Sequence, residues 1–155
     1  MPASRAAIDK AHPGIYHRFV AASDEATAAA EAAGFTRAQI ELLNVRCSQI
    51  NRCAFCLSLH TGRALKAGVT AQQLAVLPAW RDARDLYDEA SCALLEIAEL
   101  VTTLPDHCAD LAYDSAGDIF TEEQMSAAIW TAITINSFNR VSILSHHHVR
   151  PRDLI

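Results

Sequence analysis

The sequence has few of the residues and segments that would indicate a β-rich or multidomain protein. Glycine and proline number five each in 155 residues, and no alternation of β-branched residues marks a strand. Because alanine is abundant and helix breakers are scarce, the composition favours an all-α protein. We expect about six to seven helices in one domain over residues 1–155, with residues 1–13 as an irregular arm.

Long apolar runs and an excess of positive charge are also missing. No stretch approaches the roughly 20 apolar residues that a helix needs to cross a bilayer, and the N-terminal segment lacks the apolar centre of a signal peptide. Eighteen acidic residues against thirteen basic ones give a net charge of -5, whereas nucleic-acid binding requires a basic surface. We therefore expect a cytoplasmic protein that binds neither membranes nor nucleic acid.

The helices are predicted from apolar spacing and from capping signals. Three threonine–glutamine pairs fit a capping box, namely Thr36–Gln39, Thr70–Gln73 and Thr121–Gln124. The predicted helices cover residues 15–33, 36–50, 53–66, 70–77, 88–103, 106–115 and 122–147. We expect Asn51 to cap the start of the third helix, residues 80–87 to form a polar connection, and Trp80 and Trp130 to be anchors in a core or an interface.

The five cysteines do not predict a framework of structural disulfides, because five is an odd number and no secretory signal accompanies them. Cys53 and Cys56 form a CxxC pair, and His60 follows four residues after the second cysteine. In a reducing compartment such a pair is typical of catalytic or metal-binding sites. We assign no chemistry to the other three, which we expect to pack in cores or at surfaces: Cys47, Cys92 and Cys108.

The run from Glu41 to His60 has the residues needed for thiol chemistry. With Asn51 as the cap, Cys53 lies in the first turn of its helix, where the dipole favours a thiolate. His60 shares a helical face with Cys56 and can take its proton, and Glu41 on the preceding helix can orient His60. The dipole favours Cys53 as the reactive thiol and the histidine favours Cys56. We choose Cys56, because a neighbouring base acts more locally.

Other interpretations remain open from the residues alone. The two cysteines can pack as small apolar side chains, or they can bind zinc together with His60 and either Glu41 or Cys47. A second CxxC or HxxxH pair is missing from the sequence, which disfavours zinc, and we expect neither a metal nor a cofactor. A redox sensor that is oxidised reversibly, without repeated turnover, is a further hypothesis.

The run resembles the core motif of the AhpD-like alkylhydroperoxidases within the carboxymuconolactone decarboxylase superfamily. That motif is a glutamate, eleven residues, CxxC, three residues and a histidine, and it is matched here by Glu41, Cys53, Cys56 and His60. The likeness covers residues 36–103 well and residues 120–144 more weakly. It implies an all-helical subunit that forms trimers or hexamers. The true decarboxylases of the superfamily lack the cysteine pair, so decarboxylation is disfavoured.

The resemblance also implies a role for each motif residue. Cys56 would attack hydrogen peroxide or a small alkyl hydroperoxide, Cys53 would resolve the product, and His60 and Glu41 would relay protons. A lipoyl-type dithiol or a thioredoxin-like partner would then reduce the disulfide. Some members have a histidine between the two cysteines, where this chain has Phe55, so we expect any relay to run through His60, Glu41 or water.

Two polar features of the last predicted helix have no assigned function. Residues 146–148 are consecutive histidines, and we expect a solvated helix end rather than a metal site. Asn136, Asn139 and Arg140 interrupt an otherwise apolar pattern. They lie either on an exposed face or in a buried position that requires partners, for which a subunit interface is one source.

Overall fold

The computed structural model describes residues 5–105 and 109–151, and within them the chain is helical without a strand. Eight α-helices follow in order: α1 (Ile8–Ala11), α2 (Pro13–Ala32), α3 (Arg37–Ile50), α4 (Ala54–Lys66), α5 (Ala71–Val76), α6 (Glu89–Thr103), α7 (Ala109–Gly117) and α8 (Glu122–Leu144). None of them is long and apolar enough to cross a membrane. The all-α prediction is confirmed, and the number of helices exceeds the predicted six to seven.

The N-terminal segment and the link before α6 differ from the prediction. Of the predicted irregular arm, residues 8–11 form a short helix and Pro13 is the first residue of α2, a position that suits proline because the N–H there has no partner. Residues 77–86 form 3₁₀ turns, which include most of the polar connection predicted over residues 80–87. The last helix ends at Leu144, short of residue 147. The predicted short helix over 106–115 is seen from residue 109, and residues 106–108 lie outside the described ranges.

Local signals in the sequence define several helix ends. All three predicted capping boxes are present. In the first, Gln39 N donates to Thr36 Oγ1 at 3.2 Å and Thr36 N donates to Gln39 Oε1 at 2.9 Å, which satisfies two otherwise unpaired donors. Gly68, just after α4, has a φ of +98°, a left-handed conformation that favours glycine at a helix end.

The central helix is α3, which packs against α4, α6 and α8. Its residues 40–45, together with Cys47 and Ser48, are buried, because neighbouring helices cover nearly every face. Trp80 is buried in an apolar cluster with residues of α3, α4 and α6, and it donates from Nε1 to Glu99 Oε1 at 2.9 Å. Trp80 is therefore an anchor in the core, one of the two places predicted for it. Trp130 is 57% exposed, so its assignment to a core is wrong, and its place in an interface stays a prediction.

Candidate active site

A tight turn between α3 and α4 positions the cysteine pair. Asn51 follows the last residue of α3 as its C-cap, and Cys53 is the N-cap of α4. Arg52 between them has a φ of 56°, a left-handed conformation that is disfavoured for residues with a side chain. Cys53 N donates to Ser48 O at 3.0 Å and closes the turn. The predicted cap is thus wrong by two positions, because Asn51 ends the preceding helix and Cys53 caps the next.

Cys53 and Cys56 are joined in a disulfide, with their Cα atoms 5.3 Å apart. Cys56 N donates to Cys53 Sγ at 3.3 Å, which places this sulfur at the N-terminus of α4. After reduction, the free N–H groups and the helix dipole would stabilise negative charge there. Both cysteines are buried, so the disulfide is shielded from solvent.

His60 and Glu41 form a direct pair between α4 and α3, which we call the motif pair. His60 Nδ1 lies 2.6 Å from Glu41 Oε2. An ionised carboxylate only accepts hydrogen bonds, so Nδ1 carries a proton and donates it, and Nε2 is left as the nitrogen that can act as a base. His60 lies one turn after Cys56 on the same face of α4. The structure thus brings together the two residues that the sequence suggested as a relay.

The Glu41 carboxylate is fully buried, and this requires compensation of its charge. Arg37 Nη2 lies 2.9 Å from Glu41 Oε1. No donor of the described residues is aligned for a hydrogen bond to this oxygen, so Arg37 acts on it through charge. Burial raises the pKa of Glu41, but the hydrogen bond from His60 and the charges of Arg37 and Arg63 outweigh it and hold the pKa below its usual value. The site therefore keeps an ionised carboxylate beside His60.

Two asparagines of α8 form hydrogen bonds with the turn between α3 and α4. Asn51 Nδ2 donates to Asn136 Oδ1 at 2.7 Å and to Asn139 Oδ1 at 2.8 Å. Asn139 Nδ2 in turn donates to Ser48 Oγ at 3.0 Å. Arg140 Nη1 donates to Asn136 O at 2.8 Å. Both asparagines are buried. Of the two positions that the sequence left open, an exposed face or a buried site with partners, the structure shows the buried site, and the partners come from the same chain.

A cavity of about 480 Å³ adjoins the cysteine pair. Cys56 and His60 line it and Cys53 does not, so Cys56 is the sulfur that a ligand in the cavity would meet. Apolar and cationic side chains complete much of the lining: Tyr16, Val20, Phe55, Leu59, Phe138, Arg37 and Arg63. Since a water molecule occupies about 30 Å³ of liquid, the cavity has room for an organic molecule as well as for hydrogen peroxide.

His147 also lines this cavity, which the sequence did not indicate. Its ring meets Phe55 edge to face, with centroids 5.2 Å apart, and its Nε2 lies 3.4 Å from Asp9 Oδ2. We call Asp9 and His147 the second pair. Burial raises the pKa of the Asp9 carboxyl, but the hydrogen bond and charge of His147 hold that pKa below its usual value. The predicted solvated helix end is therefore wrong for His147, whereas His146 and His148 are exposed.

The remaining described thiols, those of Cys47 and Cys92, are buried. Cys47 Sγ lies 3.7 Å from Ala98 O, and burial raises the pKa of Cys47 to about 12. Burial also raises the pKa of Cys92. Thiols whose pKa is raised by burial are poor nucleophiles, and both residues pack in the core, one of the two places predicted for them. Cys108 lies outside the described residues. Within the part of the chain that the structure describes, no three His, Cys, Asp or Glu side chains are grouped to hold a metal ion.

The fold and the motif agree with comparisons to known proteins. The model of the carboxymuconolactone decarboxylase family matches residues 13–100, more than half of the chain, and the chain therefore belongs to this family. It is 38% identical over 104 residues to the uncharacterized protein YdfG of Bacillus subtilis, which covers 66% of this chain and 70% of YdfG.

A solved structure supports the same assignment. It is the crystal structure of a protein of unknown function from Agrobacterium tumefaciens, provisionally named as the antioxidant defence protein AhpD. The two chains superpose with a TM-score of 0.84 and 25% identity, over 96% of this chain and 99% of the other. The AhpD-like resemblance noted in the sequence is thereby confirmed.

Proposed function

We propose that the protein is a CxxC-dependent thiol peroxidase that reduces hydrogen peroxide or small alkyl hydroperoxides through a Cys53–Cys56 disulfide. One observation carries this proposal. Cys56 and His60 line the same cavity, and Glu41 Oε2 lies 2.6 Å from His60 Nδ1. A thiol, a base and a buried carboxylate in this order are the parts of an activated nucleophile. The name of the Agrobacterium neighbour supports the same class of activity.

The first step converts the reduced Cys56 thiol into a sulfenic acid. His60 Nε2 takes the thiol proton, and the Glu41 carboxylate stabilises the resulting imidazolium. The thiolate then attacks the outer oxygen of the hydroperoxide, so that an S–O bond forms and the O–O bond breaks. The other oxygen takes up one proton and leaves as water or an alcohol.

The second step closes the disulfide and prepares the next turnover. Cys53, whose sulfur lies at the N-terminus of α4, attacks the sulfur of the Cys56 sulfenic acid as a thiolate. The S–S bond forms, the S–O bond breaks, and the hydroxide takes up the proton that the Cys53 thiol gave up and leaves as water. A dithiol reductant of the lipoyl or thioredoxin-like type then restores both thiols by exchange, and is itself oxidised to a disulfide. The site needs no cofactor for this cycle.

We also propose that the working form is a homo-oligomer, a trimer or a hexamer, located in the cytoplasm. Apolar side chains on the outer faces of α2 and α8 support an assembly, because they are exposed in the single chain: Ile15, Phe19, Trp130 and Ile133. Light scattering coupled to size-exclusion chromatography measures the number of subunits directly. A monomer at micromolar concentration would contradict this part of the proposal.

The proposed activity is tested by following hydroperoxide consumption with a dithiol such as dihydrolipoamide. We expect Cys56→Ser to reduce turnover to the background rate. Cys53→Ser should consume one equivalent of peroxide and stop with a sulfenic acid on Cys56, which is detected by mass spectrometry after trapping with dimedone. Cys92→Ala is the matched control and should retain turnover, because this thiol is buried away from the cavity.

The outcomes separate the enzyme from the other hypotheses. Full turnover in both Cys53→Ser and Cys56→Ser would contradict the mechanism. A single oxidation of the wild type, without repeated turnover with any dithiol, would favour a redox sensor. Stoichiometric zinc in protein purified without chelator, with loss of the fold when zinc is removed, would favour a zinc-stabilised module.

A further inference from the structure

The cavity contains two histidine–carboxylate pairs, of which the proposed function uses one. The motif pair, His60 and Glu41, belongs to α4 and α3. The second pair, His147 and Asp9, comes from the segment after α8 and from α1. Both imidazoles line the cavity into which Cys56 faces. A substrate bound there would therefore meet two imidazoles, each held by its own carboxylate.

The position of His147 is defined by contacts on three sides. His146 has a φ of 55°, which turns the chain after α8, and His147 N donates to Ser142 O at 3.0 Å. The ring lies against Phe55, the residue between the two cysteines. Its Nε2 faces Asp9, so Nδ1 is the ring nitrogen left for a ligand. This side chain is held in place beside the cysteine pair and is not a frayed end.

Asp9 is itself anchored by the same end of α8. Ile8 N donates to Ser145 Oγ at 3.2 Å, and Arg5 Nη1 donates to Ile143 O at 2.9 Å. Both bonds lie just before Asp9 in the chain and hold the start of α1 against the end of α8. The Asp9 Oδ2 atom, 3.4 Å from His147 Nε2, can therefore orient the imidazole ring.

Peroxide reduction requires two proton transfers at different atoms. One proton leaves the Cys56 sulfur, and another must reach the departing oxygen, because an alkoxide is a poor leaving group. His60 lies one helical turn from Cys56 and serves the first transfer. Phe55, between the cysteines, has no proton to give. The His60 imidazolium formed in the first transfer is one donor for the second, and a second protonated imidazole on the cavity wall suits this role near neutral pH.

We propose that His147, oriented by Asp9, is the general acid that protonates the leaving oxygen of an organic hydroperoxide. In this step the Cys56 thiolate forms the S–O bond, the O–O bond breaks, and the proton moves from His147 to the departing oxygen, which leaves as an alcohol. His147 then becomes neutral and regains a proton from solvent. The inference rests on the proposed peroxidase function and assigns a second residue to its first step.

The leaving group of the peroxide provides the test. Acetate leaves peracetic acid readily without a proton, whereas tert-butoxide leaves tert-butyl hydroperoxide only with one. The oxidation of Cys56 in the reduced protein is followed in a single turnover by rapid quenching and mass spectrometry. We expect His147→Gln to slow the reaction with tert-butyl hydroperoxide by about 10²-fold, and that with peracetic acid by less than about 3-fold.

Three further variants make the result specific to His147. Asp9→Asn should show the same selectivity with a smaller loss, because it removes the orienting charge and leaves the acid in place. His148→Gln is the matched control from the exposed neighbour and should react like the wild type with both peroxides. Tyr16→Phe tests the phenol that also lines the cavity and should show no difference between the two peroxides.

Each alternative result overturns the assignment. An equal loss with both peroxides in His147→Gln would mean that the ring supports the structure or binds substrate. Wild-type rates would mean that it has no part in the step, and a selective loss in Tyr16→Phe would move the role to the phenol. If the wild type oxidises Cys56 with neither peroxide, the proposed function fails and the role of His147 fails with it.

Discussion

The two histidine–carboxylate pairs differ in how the chain builds them. The motif pair comes from neighbouring helices within residues 41–60. It is buried, since Glu41 is 0% and His60 8% exposed. The second pair joins α1 to the segment after α8 and is partly exposed, with 15% of the Asp9 side chain accessible. The proposed nucleophile and its base therefore come from one short stretch of sequence, whereas the second pair meets only in the folded chain.

Burial makes the two carboxylates unequal. Glu41 has His60 on one oxygen and the charge of Arg37 on the other, and without them an ionised group in its position would be strongly destabilised. Asp9 lies nearer to solvent, where screening weakens charge interactions. We therefore expect changes at the motif pair to have larger effects than the same changes at the second pair.

The largest expected effect is on the rate of the first chemical step. Glu41→Gln should lower the single-turnover rate of Cys56 oxidation by roughly 10²-fold or more, because a neutral amide neither fixes the tautomer of His60 nor stabilises its imidazolium. The corresponding Asp9→Asn change should cost less. An Asp9→Asn loss that equals or exceeds the Glu41→Gln loss with hydrogen peroxide would contradict the ranking of the two pairs.

A second effect concerns the support of the cysteine turn. Asn139→Ala should lower the free energy of unfolding by about 2 kcal/mol, since it removes the hydrogen bonds of the buried Asn139 side chain to Asn51 and Ser48. Urea denaturation measures this change. Ser126→Ala, at an exposed position of the same helix, is the control and should stay within about 0.5 kcal/mol of the wild type. Equal stability of the two variants would exclude the network as a support.

The pH dependence of stability should separate the two carboxylates. The pKa of Glu41 is lower in the folded protein than its usual value, so Glu41 contributes stability above the unfolded-state pKa of about 4.3. That contribution is lost as the pH falls through the lowered folded-state pKa. Between pH 6 and pH 3, Glu41→Gln should therefore lose stability less steeply than the wild type.

Asp9→Asn should also reduce the loss of stability between pH 6 and pH 3, but by a smaller amount, because Asp9 is the more exposed of the two carboxylates. The free energy of unfolding is measured by urea denaturation at each pH. Parallel curves for Glu41→Gln and the wild type would contradict the lowered pKa of Glu41. If Asp9→Asn reduced the pH dependence of the free energy of unfolding more than Glu41→Gln does, the ranking of the two carboxylates would be reversed.

The smallest expected effect is on stability, at the two turns that precede Cys53 and His147. Arg52 comes directly before Cys53 and His146 directly before His147, and both have left-handed backbone conformations, with φ of 56° and 55°. Glycine adopts this conformation without steric penalty. Arg52→Gly and His146→Gly should each raise the free energy of unfolding by less than about 1 kcal/mol. A loss in either variant would mean that its side chain makes a stabilising contact.

The sequence predicted the motif pair because its information is local. Spacing along a helix puts Cys56 and His60 on one face, and capping boxes define where the helices begin. The second pair could not be predicted, since Asp9 and His147 meet only after α1 has packed on α8. The sequence singled out Asn136 and Asn139 as unusual, but their partner Asn51 depends on the packing of α3 against α8. Arg37 had a usable signal, its spacing of four residues from Glu41.

The most direct test of the central claim is a count of thiols by position in the fully reduced wild type, before and after one equivalent of hydroperoxide. Alkylation and peptide mapping report the state of each cysteine. We expect two thiols to be lost, at Cys53 and Cys56, with a disulfide between them that dihydrolipoamide reverses, while Cys47 and Cys92 remain free. Oxidation at Cys47 or Cys92, or an unchanged Cys56, would contradict the account.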